Sequence, residues 1–88
     1  MKKIGVIFGG MSTENEVSIK SAKSVLKNLD KGLYEIYPIY IDKKGKWWKC
    51  LYNEKNGQIK NNGEIENVFK SLKEIDIAFP VLHGLYGE

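Results

Sequence analysis

The segment Lys3-Ile4-Gly5-Val6-Ile7-Phe8-Gly9-Gly10, running on into Met11-Ser12-Thr13-Glu14-Asn15-Glu16-Val17-Ser18, reads as a strand, a glycine turn and a helix start. Ile4, Val6, Ile7 and Phe8 form a near-continuous apolar run rather than an alternating one. Such runs suit a strand covered on both faces, as in a parallel sheet. Gly9-Gly10 breaks the run, and Thr13 with Glu16 three residues on is a capping-box spelling that starts a helix near Glu14. Val17, Ala22, Val25, Leu26 and Leu29 then recur at helical spacing to about Leu29, where Asp30-Lys31-Gly32 supplies a stop.

Working outward, Tyr34 to Ile41 is dense in aromatic and β-branched residues and reads as a strand. Pro38 lacks a ladder donor, so this strand is expected at the sheet edge or with a local irregularity. Asp42-Lys43-Lys44-Gly45 is a turn, and Lys46 to Tyr52 returns as a hairpin strand. Asn53 to Gly63 is polar and reads as a loop. Glu64 to Glu74 supports a weaker helix through Ile65, Val68, Phe69 and Leu72. Ile75 to Leu82 reads as another buried strand, running into His83-Gly84-Leu85-Tyr86-Gly87-Glu88. The order strand, helix, strand, hairpin, helix, strand implies an α/β domain: a mainly parallel sheet with one β-hairpin and a helix on each face.

Size and charge limit what such a unit does. Its 88 residues make one small domain, and a chain of that length buries roughly 60–65% of the surface it exposes unfolded. With 42% hydrophobic and 28% charged residues it reads as folded and soluble. No apolar run approaches the roughly 18–20 residues that span a bilayer. The apolar run after Met1-Lys2-Lys3 is also too short for a signal peptide, so the expectation is a cytoplasmic protein without membrane partners. Lone Cys50 makes neither an internal disulfide nor a zinc site, which fits a reducing compartment. The basic side chains are all lysine, 14 of them, for a net charge of +3. Without arginine the chain lacks the bidentate fork used for guanine and for phosphoryl clamps, which argues against sequence-specific nucleic-acid reading.

Three constellations remain. The turn Gly9-Gly10 before a helix lets backbone approach a ligand and presents unpaired N–H groups. It does not match a dinucleotide fingerprint, and only Asp42, at the end of the next strand, stands anywhere near a ribose-binding position. Glu16 fits the capping box and the helix dipole, whereas Glu14 sits where its side chain can point into a crevice. Second, His83 follows a parallel strand at its carboxyl end, where open α/β sheets bind ligands. If strands 3–8 and 75–82 are neighbours, Glu14 and His83 face one crevice and together suit an ammonium group or another small polar ligand. Third, Lys43 to Lys49 interleaves lysines with Trp47 and Trp48. Single-strand stacking competes there with an ordinary hairpin, which the flanking Asp42 and Glu54 favour.

At these two loops the sequence resembles the amino-terminal domain of D-alanine–D-alanine ligases and their close relatives. The matching pieces are Lys3 to Gly10, Ser12, Glu14-Asn15-Glu16-Val17-Ser18 with Ser21-Ala22, and Leu82-His83-Gly84-Leu85-Tyr86-Gly87-Glu88. The last resembles the first part of the family's H-G-x-x-G-E-D-G loop. Tyr37 to Asp42 and Gly45-Lys46-Trp47 share the family's look.

The resemblance implies a Rossmann-like, pre-ATP-grasp three-layer domain. Residues 1–88 are then the substrate-binding amino-terminal domain of a ligase, cut before the ATP-grasp domains. In such ligases ATP phosphorylates the carboxylate of a first D-alanine, and the amine of a second attacks the acyl phosphate during peptidoglycan precursor synthesis. By the resemblance Glu14 holds the ammonium of the first D-alanine and is the one catalytic residue here. Val17 lines the pocket for its methyl group, and His83 assists at the same subsite. ATP and Mg²⁺ (or Mn²⁺) belong to the full-length parent, with no cofactor or metal site in these residues, so the fragment alone is expected to be inactive. A homodimer through this domain is also implied. The alternatives are a D-alanine–D-serine or D-alanine–D-lactate ligase domain, or a non-catalytic Rossmann-like binding module.

Overall fold

A computed structural model of the chain describes residues 1–10 and 15–81. In chain order the elements are β1 (Lys2–Gly9), α1 (Asn15–Asn28), β2 (Tyr34–Ile41), β3 (Trp47–Asn53), β4 (Gln58–Glu64), α2 (Val68–Lys73) and β5 (Ile77–Val81). They form one five-stranded sheet in the order β4-β3-β2-β1-β5. β1 lies parallel to β2 on one side and to β5 on the other, while β2–β3 and β3–β4 are antiparallel.

The apolar run of β1 is covered on both faces, as its lack of alternation implies. Val6 and Phe8 pack with Ala22 and Leu26 of α1 and with Val81. Ile7, one residue out of phase, packs on the opposite face with Ile39, Ile41 and Ile65, against Val68 and Leu72 of α2. One helix therefore serves each face. Fully burying a side chain such as Phe8 or Leu26 contributes about 1.5–3 kcal/mol, so the β1–α1 contact anchors the domain.

Several expectations are corrected. The sheet is mixed, not mainly parallel, and holds two hairpins. Residues 58–63, read as loop, form β4 together with Glu64, a polar strand that presents no apolar stripe to betray it. Its turn was legible all the same: Asn56-Gly57 is a strong hairpin signal. Gly57 takes a φ of 71° and its N–H donates to the Asn53 carbonyl at 2.7 Å. Because Glu64 belongs to β4, the second helix is shorter than 64–74. Asn67 caps it, its side chain accepting from the Lys70 N–H at 3.0 Å.

β2 is not an edge strand. Nor does it break at Pro38, which stays in register with Val6 of β1; the missing donor is accommodated because β3 pairs with β2 only over Ile39–Ile41, leaving Pro38 just beyond that ladder. Nor is the last strand buried. Among the described residues β5 pairs with β1 alone, and Ile77 and Phe79 stay about 40% exposed, at 39% and 42%. Leu82, the end of that reading, lies outside the described residues. The apolar run reported the strand correctly but not how much of it is covered.

The β2–β3 turn is organised by Asp42, whose carboxylate accepts from the Lys44 and Lys46 N–H groups, each at 2.9 Å, and from the Trp48 indole at 3.1 Å. The Lys46 bond and then the Trp48 bond hold its pKa below the usual carboxylate range. With the folded pKa depressed, this stabilisation is complete above the unfolded value of about 3.9 and is lost as pH falls through the folded one. Melting temperatures of the parent and Asp42→Ala should thus differ by a constant amount from pH 7 to about 4. The gap should narrow at lower pH.

Candidate functional site at the strand ends

The carboxyl ends of β1, β2 and β5 meet at the amino end of α1, and two buried polar side chains of α1 hold them there. Asn15 is 2% exposed and Ser18 is fully buried. The Asn15 amide donates to the Gly10 carbonyl at 2.7 Å and to the Ile41 carbonyl at 3.4 Å, while its oxygen accepts from the Tyr40 hydroxyl at 3.0 Å. The Gly10 N–H also donates to the Ile41 carbonyl, at 2.7 Å. Ser18 accepts from the Gly9 N–H at 2.8 Å and donates to the Val81 carbonyl. No buried side-chain nitrogen or oxygen among the described residues lacks a partner. A satisfied network of this kind rigidifies its surroundings.

Gly9 and Gly10 have φ values of 92° and 113°, which glycine adopts without the penalty a side chain brings. At Gly9 the need is steric as well. A Cβ would run into the Ile41 carbonyl oxygen and come within 2.7 Å of the Tyr40 ring.

Of the residues singled out from the sequence, Val17 stands on the first turn of α1 with 42% of its surface exposed. Glu14 and His83 lie outside the described residues. Asn15, next to Glu14, and Val81, two residues before His83, are described, and both are buried in the network above. The expected adjacency of the first and last strands holds, with Ile4 to Phe8 in register with Ile77 to Val81. What the sequence reading missed is Asn15 and Ser18, which it quoted within a motif and left without a role. Polar residues inside an amphipathic helix, on its buried side, were the available signal.

The other candidates fall away. Trp47 packs with the α2-side core and Trp48 is committed to Asp42, so the lysine-rich segment is a hairpin with solvated lysines. The same commitment removes Asp42 as a ribose partner. Cys50 is buried, and burial pushes its thiol up to about 11, far from a reactive thiolate. A cavity of about 350 Å³ lies between β2, β3 and α2, lined by Ile36, Pro38, Cys50 and Ile75 among others, and takes no residue from the strand ends.

A family model described as D-ala D-ala ligase N-terminus matches residues 3–88. The chain belongs to this family. Similar relatives include D-alanine--D-alanine ligase B of Clostridium tetani, 50% identical over 98% of this chain and 26% of its own length. The D-alanine--D-alanine ligase of Clostridium novyi is 47% identical over 99% of this chain and 27% of its own length. Among solved structures, the VanG D-Ala:D-Ser ligase of Enterococcus faecalis superposes with a TM-score of 0.70 at 33% identity, over 93% of this chain and 29% of that one. The D-alanine-D-alanine ligase of Coxiella burnetii gives 0.55 at 45% identity, over 56% of this chain and 14% of that one. The chain thus spans about a quarter of the length of the curated relatives it matches. For a member of this ligase family, the strand-end network lies beside both motif segments: Asn15 and Ser18 fall inside the first, and Val81 precedes the second.

Proposed function

We propose that this chain supplies the first D-alanine subsite of an ATP-dependent D-alanine–D-alanine ligase. The carrying observation is the convergence of Gly10, Asn15 and Val81 at the strand ends, since these residues border the segments bearing Glu14 and His83. In this reading the Glu14 carboxylate holds the α-ammonium of the first D-alanine, and orients it for attack on the acyl phosphate by a second amine. An ammonium held away from water calls for an opposite charge, and charge-assisted hydrogen bonds are the strong kind. Val17, apolar and half-exposed on the first turn of α1, meets the methyl group, and His83 assists at the same subsite.

ATP supplies the phosphoryl group that activates the carboxylate, and Mg²⁺ or Mn²⁺ accompanies it. The described residues offer no set that would hold those groups. No arginine is present, and no cluster of three or more His, Cys, Asp or Glu occurs among the described residues. No step of phosphoryl transfer is therefore assigned to this chain. A Rossmann-like, pre-ATP-grasp three-layer arrangement is supported by helices packed on opposite faces of the sheet. A homodimer through this domain and a cytoplasmic location complete the proposal.

A second reading has support of its own: the fold is shared with a D-Ala:D-Ser ligase, so the subsite for the first amino acid does not specify the acceptor. The test is ligation by the whole protein with ATP, Mg²⁺ and D-alanine, with D-serine and D-lactate offered as alternative acceptors. Phosphate release that depends on D-alanine and yields D-alanyl-D-alanine is expected. Absence of any D-alanine-dependent phosphate release would overturn the proposal.

A further inference from the structure

We propose that Ser18 is a positioning residue for the first-amino-acid subsite, its one hydroxyl setting the separation between the carboxyl ends of β1 and β5. This rests on the functional reading above and deepens it.

A serine within a helix ordinarily bonds back to a carbonyl on its own helix, four residues earlier. Ser18 does otherwise. It accepts from Gly9 at the end of β1 and donates to Val81 at the end of β5, a residue 63 positions away in sequence. The hydroxyl's donor and one acceptor site are thereby spent on backbone. Being fully buried, it is out of a ligand's reach. Its influence on a substrate is therefore indirect, through the two strand ends it joins.

The need for such a tether follows from β5 itself. Among the described residues β5 pairs with β1, and Ile77 and Phe79 are well exposed. Strands with few buried contacts open readily. At its amino end β5 is held by Asp76, which exchanges two hydrogen bonds of 2.8 Å with Lys3. At its carboxyl end Ser18 is the matching clamp, bonded to Val81, which in sequence directly precedes the second motif segment. The same hydroxyl meets Gly9, two positions before Met11 in sequence. One side chain thus references both motif segments to a common point, and a misplacement on the order of 1 Å in such a site costs about 100-fold in rate.

The experiment measures kcat and the KM for the first D-alanine and for ATP in the whole ligase, with melting temperatures, for Ser18→Ala, Glu14→Gln and the double variant. The expected result for Ser18→Ala is a roughly 10-fold or greater rise in KM for the first D-alanine with KM for ATP unchanged. Because Ser18 acts through the subsite, the double variant should be no worse than Glu14→Gln alone. A lowered melting temperature with both KM values unchanged makes Ser18 a purely structural residue and overturns the proposal, as do fully additive effects. If Glu14→Gln leaves KM for D-alanine unchanged, the subsite reading itself fails, and the role of Ser18 with it. Should Ser18→Ala not fold, Ser18→Cys carries the same test. It keeps the size and weakens the hydrogen bonds, so an intermediate and still selective KM rise is expected, and an unchanged KM overturns the proposal.

Discussion

Gly9→Ala is expected to cost about 3–5 kcal/mol of stability, from a strained backbone and an overpacked site together. The backbone contribution arises because Gly9 sits at a φ of 92°, where a Cβ is disfavoured by roughly 1–2 kcal/mol. The packing contribution is less forgiving, since the new methyl meets the Ile41 carbonyl oxygen and the Tyr40 ring. The carbonyl belongs to the β1–β2 ladder and already accepts from the Gly10 N–H and the Asn15 amide. It cannot retreat without breaking those bonds. Marginal stability for a domain this size is on the order of 5–10 kcal/mol, so the substitution removes a large part of it.

Gly10→Ala separates the two contributions. Its φ of 113° is equally foreign to a side chain, but no atom of the described residues lies within 4 Å of the added Cβ. Urea unfolding followed by the fluorescence of Trp47 and Trp48 should show Gly10→Ala losing only the backbone share, about 1–3 kcal/mol. Equal losses for the two variants would mean that the Ile41 contact plays no part.

If Glu14 holds the substrate ammonium as proposed, Glu14→Gln in the whole protein is expected to raise KM for the first D-alanine by about 30- to 1,000-fold, equivalent to about 2–4 kcal/mol for the loss of one partner of a desolvated charge pair. Glutamine keeps the shape and removes the charge, so the substrate ammonium retains at best a neutral hydrogen bond. A carboxylate serving only the helix dipole would contribute about 0.3–1 kcal/mol to stability, and its loss would leave KM for D-alanine untouched. Initial rates against D-alanine at saturating ATP discriminate these outcomes, and an unchanged KM would reduce Glu14 to a helix-start residue.

The elements with an internal apolar pattern were legible. β1 and α1 were readable because a run covered on both faces and a stripe at helical period each report burial directly. The aromatic and β-branched run of β2 was read to the residue, from Tyr34 to Ile41. β4 was not, since Gln58, Lys60, Asn61 and Asn62 carry no stripe and the strand exists through pairing with β3. The Gly9-Gly10 turn was read as a place where backbone approaches a ligand, whereas the close approach in the structure is internal, Gly9 against Ile41 and Tyr40. Asn15 and Ser18 escaped notice because serine and asparagine near a helix start are usually caps facing solvent. Their partners at Ile41 and Val81 lie 26 and 63 residues away.

By itself, then, the sequence determined the order of most elements, the glycine turn and the family, all of which are written in local pattern and motif. Burial leaves its mark on residue type, and a turn needs its glycines wherever it stands. Only the tertiary structure decided that the sheet is mixed, that β2 is internal with Pro38 just past its pairing with β3, and that among the described residues β5 pairs with β1 and leaves Ile77 and Phe79 exposed. It also decided that one buried serine joins the ends of β1 and β5. Those are facts about which strand lies beside which, and a side chain's pattern records that it is covered without recording by what.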